Sequence, residues 1–489
     1  MPLPSTVSPL VAVDRDLPVP IHRQIYAGYR EAIVDGRLRA GERMPSTRAL
    51  ATELGVSRQP VLEAFEQLLA EGYCEARHGS GTFVASELPA DRRPARPPAA
   101  PPPAAPRRAA SRRSAALVRP PVPWLRRQGP FNIGEVAFDR FPLAAWSRLA
   151  SRLARTTRTD DLRYGDAAGL VELRRAIAAY LRTARAVRCE PEQILIVSGS
   201  QQALEIAART VIDPRQSVWF EDPGYWGARD ALTAAGAELV PVPVDAEGLD
   251  VAAGRRAAAR ARAVYVTPSH QFPLGATMSA GRRLQLLDWA RRAGAWILED
   301  DYDSELRFDR QPNTSLQSLD RDARVLFVGT FSKVLFPALR LGYLVVPPDL
   351  VERATAVRRV MDICPPRATQ ALVAAFLAEG HFARHLRRMR VVYAERRQAL
   401  VGALERHAGD LLEVIGDPAG MLLVAALRRA QDDVALAHRA EAEGLRTMPL
   451  SRSYTGPRAR HGFILGYGGA RPAELTPAVR KLRRLLGPA

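Results

Sequence analysis

Ile21, Ile25, Tyr29 and Ile33 recur at a spacing of four, which predicts one apolar stripe along a helix that Gly36 can end. Ser46 can cap a second helix running through Leu50 and Leu54 to Gly55. After the short link Val56-Ser57, a third helix is expected through Val61, Phe65, Leu68 and Leu69 to Gly72, with Pro60 tolerated in its first turn. Two helices joined by so short a Gly-containing turn read as a helix-turn-helix. The run YCEARHGSGTFVA then predicts two short strands around a flexible tip. A hairpin in that place completes a winged helix.

Further along, short apolar runs alternate with helical segments: QILIVSG, SVWFEDPG, AVYVTP, AWILEDDYD and RVLFVGTFSK. Such alternation predicts a mainly parallel sheet covered by helices, with polar residues gathered beyond the carboxyl ends of the strands. Between the two patterns, residues 86–127 turn to Pro, Ala and Arg, as in PARPPAAPPPAAPRRAASRRS. Such a segment buries too little apolar surface to offset its ordering entropy. It reads as a semi-rigid basic linker. The expected organisation is a head over 17–85, the linker over 86–127 and a large α/β region over 128–489.

Composition narrows the classes. With 489 residues and 47% hydrophobic content, the chain can bury more than one core. No apolar run of membrane-spanning length is visible, and the opening MPLPSTVSPL lacks an export pattern. Cys74, Cys189 and Cys364 are far apart and lack metal-ligand spacing. A reducing, cytoplasmic setting is expected, with no metal and no membrane partner. The formal net charge of +18 suits a polyanion, although arginine-rich coding alone also produces it.

Placement of the cations is more telling. Arg58 and Gln59, just after Ser57, fall on the first turn of the third helix, the part of a helix-turn-helix that enters a major groove. Arg48, and Arg77 and His78 of the wing, are placed to meet backbone phosphates. The expected partner is double-stranded DNA.

Lysine plus arginine total 70, yet lysine occurs only at Lys333 and Lys481. Lys481 sits in the polar run RKLRR, where either cation serves. Lys333 stands instead in TFSKVLFPALR, among Phe331, Val334, Leu335 and Phe336. Burying an amine is costly unless it is paired, deprotonated or covalently used, and arginine cannot supply a neutral nucleophile. Lys333 is therefore a candidate Schiff-base lysine.

Other groups complete that chemistry. Ser200 and Gln201 open a helix after a strand, where free N–H groups can cradle a phosphate, and Arg340 offers a planar fork for the same anion. Thr330 and Ser332 flank the lysine with hydroxyls. Asp300, beyond the strand AWILE, can hold a pyridine nitrogen protonated, although a cap or an ion pair would explain it equally. Tyr302 can hydrogen-bond a phenolic oxygen, and Tyr225 can stack on a ring face. Together these residues match the needs of pyridoxal 5'-phosphate.

The segment MPSTRALATELGVSRQPVLEAFEQLLAEGYCEARHGSGTFV resembles the winged-helix domain of GntR-type bacterial regulators, with Pro60 where the family more usually has a small hydroxyl residue. The pieces SGSQQAL, EDPGY, TPSHQFPLG, EDDYDSE and TFSKVLFPALRLGY resemble fold-type I, class I aminotransferases. By that resemblance Lys333 carries the aldimine, Asp300 pairs with the pyridinium, Tyr302 meets O3', and Ser200, Gln201, Ser332 and Arg340 surround the phosphate. Phe272 stands where aminotransferases usually have an asparagine. The whole architecture resembles the MocR subfamily of GntR-type regulators.

That resemblance implies a multidomain chain: an N-terminal winged helix-turn-helix and an α/β, fold-type I aminotransferase-like domain. It further implies a cytoplasmic regulator, assembled as a head-to-tail homodimer, that uses pyridoxal phosphate alone or with an amino compound as effector. A substrate-carboxylate arginine is expected late in the chain, with Arg452 in PLSRSYTG as the candidate and Arg460 as the alternative. The competing reading is a working aminotransferase with an accessory DNA-binding head.

Overall fold

The computed structural model describes residues 11–77, 79–86, 111, 117, 128–308, 314–457 and 459–487. The chain divides into two compact units, Met1–Ala109 and Ala110–Ala489. His78 and nearly all of the expected linker fall outside the described residues.

The first unit is built on three helices, α1 (Ile21–Val34), α2 (Thr47–Glu53) and α3 (Arg58–Ala70), and a hairpin of β1 (Cys74–Arg77) and β2 (Gly81–Val84). The expected stripe of α1 is turned inward, and Ile25, Tyr29 and Ile33 pack with Leu50, Val61, Phe65 and Leu68 in one core. Ser46 caps α2 by accepting from the Ala49 N–H at 3.2 Å. The strands pair antiparallel in the register Cys74 to Val84 and Arg77 to Gly81. Arg43 adds an antiparallel bridge to Phe83, a contact the sequence pattern did not announce.

In the second unit α4 (Leu143–Thr156) and α5 (Val171–Arg185) precede the sheet, which begins with β3 (Ile194–Val197) and α6 (Ser200–Val211). Next come β4 (Ser217–Asp222), α7 (Trp226–Ala235), β5 (Glu238–Asp245), β6 (Gly248–Leu249) and β7 (Ala263–Val266). β8 (Trp296–Asp301), β9 (Val325–Thr330) and β10 (Gly342–Val345) complete it. The eight strands lie in the order β3-β10-β9-β8-β7-β4-β5-β6. Pairing is parallel from β9 across β8, β7 and β4 to β5, and β10 runs antiparallel between β3 and β9. A second, antiparallel sheet follows in the order β11 (Leu412–Ile415), β12 (Leu422–Leu427), β14 (Gly462–Gly466), β13 (Met448–Pro449).

β8 shows how this sheet handles charge. Every residue of WILEDD is buried. A strand sends alternate side chains to opposite faces, and Glu299 and Asp301 find structural partners. Glu299 accepts from the Leu316 and Gln317 N–H groups at 2.8 and 2.9 Å. Asp301 accepts from Arg185 Nε at 2.7 Å, while the same guanidinium reaches Ser269 Oγ at 2.8 Å. Burial pushes Glu299 up to about 7, against the pull of Arg283.

The Arg185–Asp301 pair is enclosed, so removing the cation leaves a buried carboxylate without its partner. Arg185→Ala should lower the stability of the second unit by about 3–5 kcal/mol. All six tryptophans lie after residue 120, so denaturant unfolding followed by tryptophan fluorescence reports this unit alone. A loss below about 1 kcal/mol would show that Asp301 is adequately solvated without Arg185.

Candidate functional site

The other parity of the same strand end builds the site. Asp300 and Tyr302 line a cavity of about 200 Å³, together with Ser200, Tyr225, Thr330, Ser332, Lys333 and Arg340. All the cofactor residues expected from the sequence meet there except Gln201, whose amide donates to the Gly227 carbonyl at 2.7 Å. Ile133, Gly134, Trp226, Tyr265, Phe272, Pro337 and Leu422 complete the wall.

Lys333 follows β9, and its amine donates to the Ile133 carbonyl at 3.1 Å. The residue keeps some exposed surface because it faces the cavity, but protein packs closely around the amine. Burial holds its pKa below the ordinary lysine value, with the charge of Asp303 opposing that shift. The depression favours the neutral, nucleophilic amine.

Asp300 is pushed up to about 7 by burial, against the hydrogen bond that Tyr265 donates. That bond runs from the Tyr265 hydroxyl to Oδ2 at 2.9 Å. The other oxygen, Oδ1, is buried and has no partner among the described residues. A buried carboxylate oxygen left in this state needs a donor, and a protonated ring nitrogen is one.

The anion end is set by α6. Gly199 precedes this helix with φ +93°, and a Cβ there would crowd the Arg340 guanidinium, 3.2 Å from Nη2. Glycine thus permits the close approach. Arg340 Nη2 donates to the Ser198 carbonyl at 2.7 Å, and its own backbone is left-handed at φ +47°. The helix N-terminus, the Ser200 hydroxyl and a guanidinium converge on one spot, a geometry suited to phosphate. Amine, acceptor and anion cradle together fit pyridoxal 5'-phosphate.

Phe272, which stands where class I aminotransferases usually have an asparagine, is part of the cavity wall. Its ring stands edge-on to Tyr225 at 5.4 Å and to Tyr302 at 6.3 Å. Burial pushes the Tyr225 phenol well above its ordinary range, and the Asp300 charge adds to the effect. The neighbouring Gln271 turns its amide to the Pro223 carbonyl at 2.8 Å.

Arg452 and Arg460 are not brought into this group. Arg452 is exposed and lines a separate depression with His438, Glu441 and Thr447. Arg460 pairs with Glu413 at 3.1 Å. Tyr265 and Phe272 were not singled out as cavity residues by sequence reasoning, since an aromatic in a strand or beside a proline carries the same pattern as core.

In the first unit Arg48, Ser57, Arg58, Gln59 and Arg77 are exposed. Ser57 ends the turn before α3 but makes no side-chain cap there. Arg58 Nε donates to Thr47 Oγ1 at 3.1 Å, which ties the start of α3 to α2. Gln59 reaches Glu63 at 3.1 Å, and Arg77 is paired with Glu75 at 2.6 Å and stacked over Phe83 at 4.5 Å. Arg43 is a cation that sequence reasoning missed. Its guanidinium lies beside the wing turn, with Nε 3.4 Å from where a Cβ on Gly81 would be.

Comparison with known proteins agrees with both units. Residues 21–84 match the family of bacterial regulatory proteins, gntR family, and residues 128–460 match aminotransferase class I and II. The Rhizobium meliloti protein named "Probable rhizopine catabolism regulatory protein MocR" is 42% identical over 97% of this chain and 95% of its own length. The pyridoxine biosynthesis transcriptional regulator PdxR of Corynebacterium glutamicum is 32% identical over 94% of each chain. Among solved structures, LysN, an alpha-aminoadipate aminotransferase from Thermus thermophilus complexed with N-(5'-phosphopyridoxyl)-L-leucine, matches with a TM-score of 0.68 at 30% identity. That match covers 73% of this chain and 91% of the other. The chain belongs to the MocR subfamily of GntR-type transcriptional regulators, a winged-helix head fused to a fold-type I aminotransferase-like domain.

Proposed function

We propose that this regulator holds pyridoxal 5'-phosphate in the Lys333 cavity and reads the cofactor, alone or with an amino compound, as its effector. The observation that carries this reading is the unpartnered Asp300 Oδ1 in the same cavity as a buried amine and an arginine at a helix N-terminus. When bound there, the cofactor supplies an aldehyde that captures primary amines and an electron-withdrawing ring.

The chain's own groups have separable tasks. Lys333 presents a neutral amine, because burial opposes its charge. Asp300 would accept a hydrogen bond at Oδ1 from the protonated ring nitrogen, while Tyr265 donates to Oδ2. Arg340, Ser200 and the start of α6 bind the phosphate and fix the ring's position. Tyr225 and Phe272 exclude water from the faces they cover. In the head, Arg58 and Gln59 read base edges, and Arg48 and Arg77 bind backbone phosphates of duplex DNA. Effector binding shifts a two-state homodimer and so changes the affinity of its heads for the promoter. Function in the cytoplasm follows from that role.

Arg452 remains the proposed carboxylate partner if the effector is an amino acid. Its exposed side chain must then turn toward the cavity. Rapid full turnover of an amino acid with an oxo acid would establish instead the enzyme reading, which similarity to LysN supports.

Purified protein given pyridoxal phosphate should absorb near the visible edge, and Lys333→Ala should lose that band while keeping its thermal midpoint without cofactor. A mutant that retains the band would remove Lys333 from this role. Separately, Arg58→Ala should weaken specific DNA binding by about 1–3 kcal/mol and relax base preference, while leaving the cofactor band intact. Titrating binding against salt distinguishes the alternative: an equal loss on every sequence, with a shallower salt dependence, marks Arg58 as a phosphate contact.

A further inference from the structure

Behind Tyr302, outside the cavity, lies a buried pair that the reading above does not use. His270, on the loop after β7, is 3% exposed, and Asp303, just past β8, is 2% exposed. His270 Nδ1 stands 3.0 Å from both Asp303 carboxylate oxygens and 3.1 Å from the Tyr302 hydroxyl. A Cβ at Gly420, where φ is +72°, would strike both Asp303 and His270, so the pair is packed with no spare room.

One ring nitrogen cannot serve both neighbours as acceptor and donor at once. Facing an ionised carboxylate, which only accepts, Nδ1 must carry a proton. It then has no lone pair to accept from Tyr302. The tyrosine hydroxyl can take a share of that N–H, but its own proton must go elsewhere, and Tyr302 lines the cavity. Swapping the tautomer would reverse this: Nδ1 would accept the tyrosine's proton and lose its bond to Asp303.

We propose that His270 and Asp303 are positioning residues that hold the Tyr302 hydroxyl as a hydrogen-bond donor to the phenolic oxygen of the ring bound in the cavity. The inference rests on the reading that the Lys333 cavity holds pyridoxal phosphate. A donor at that oxygen stabilises its negative charge and so favours loss of the proton shared with the lysine nitrogen. The pair therefore lowers the pH at which the bound cofactor's absorption changes. Ionisable groups facing the three residues are Asp300 on β8, Glu221 on β4, Tyr467 after β14, Asp417 on the loop before β12, and Lys333 itself.

The test is a spectroscopic pH titration of the cofactor-loaded protein, which needs no turnover. Tyr302→Phe should raise the midpoint by about one pH unit. His270→Phe, which keeps ring shape but has no N–H, should raise it comparably. His270→Asn places an amide N–H near the position of Nδ1 and should restore most of the shift. In the double variant His270→Phe/Tyr302→Phe the midpoint should move no further than in Tyr302→Phe alone, because the histidine acts through the tyrosine. Should His270→Phe fail to fold, His270→Gln, whose amide reaches the Nε2 position instead, takes its place with the same expected rise. An unchanged midpoint in the donor-less variant, equal shifts for Asn and Phe, or additive shifts in the double variant would each overturn the proposal. A wild-type protein without the band would overturn the cavity reading instead, so the two failures are distinct.

Discussion

In the wall of the cavity, Asp300 keeps a buried carboxylate oxygen that has no donor among the described residues. Asp300 sits at the end of a strand buried on both faces, and burial holds its carboxyl up near 7. Leaving such a group unanswered is unfavourable. The fold answers both oxygens of Glu299 with backbone N–H groups and one oxygen of Asp301 with Arg185. Asp300, which lines the cavity, has Tyr265 on Oδ2 and no donor on Oδ1 among the described residues. The two-residue period of a strand makes this division possible. One parity spends its acids on holding helices and loops to the sheet, and the other parity offers its polar groups to a ligand.

The remaining parts of the cavity come from the topology. Parallel strands β7, β8 and β9 end on the same side of the sheet, so Tyr265, Asp300 and Thr330 arrive together although 65 residues of sequence separate the first from the last. The antiparallel insertion of β10 between β9 and β3 brings Arg340, just ahead of β10, to the start of α6, just after β3. Without that crossing the guanidinium and the helix N-terminus would belong to different edges. The small antiparallel sheet contributes Leu422, and with Phe272 and Ile133 it makes the apolar side of the cavity.

Much of this was legible in the chain, for identifiable reasons. The strands β3, β4, β7, β8 and β9 are runs of apolar residues closed by polar ones, which is how strands buried on both faces read. β5 was not read, because ELVPVPVD carries prolines that argue against a strand, yet it forms with one further short strand beyond it at the sheet's edge. β10 escaped because GYLV follows directly on the lysine loop and has no turn signal of its own. Lys333 stood out because the chain writes nearly every other cation as arginine, so residue choice at that position carried information. His270 and Tyr265 did not, since a histidine or tyrosine near a strand end gives no sign of which neighbour it will meet. Arg452 was chosen by order along the chain, and order alone does not place a side chain: the structure puts it in a separate, exposed depression.

The contrast between the two units bears on how a ligand in one affects the other. The head's cations are exposed and lightly held, by Thr47 to Arg58 and by Glu75 to Arg77, and bonds of that kind exchange for phosphate at little cost. In the cavity, by contrast, Asp300, Tyr265 and Thr330 are buried, and the Tyr265–Asp300 hydrogen bond lies where a change of one proton is felt by its neighbours. On the proposed reading, a signal from the Lys333 cavity is strong where it originates and must be expressed at a surface where each contact is weak. A ligand can move such an equilibrium only by its differential affinity for the two states, and a hundredfold change at the promoter requires about 2.7 kcal/mol of it. That is within what one buried charge pair provides. For the Asp300 oxygen to supply part of that difference, its donor must be held better in one state of the protein than in the other.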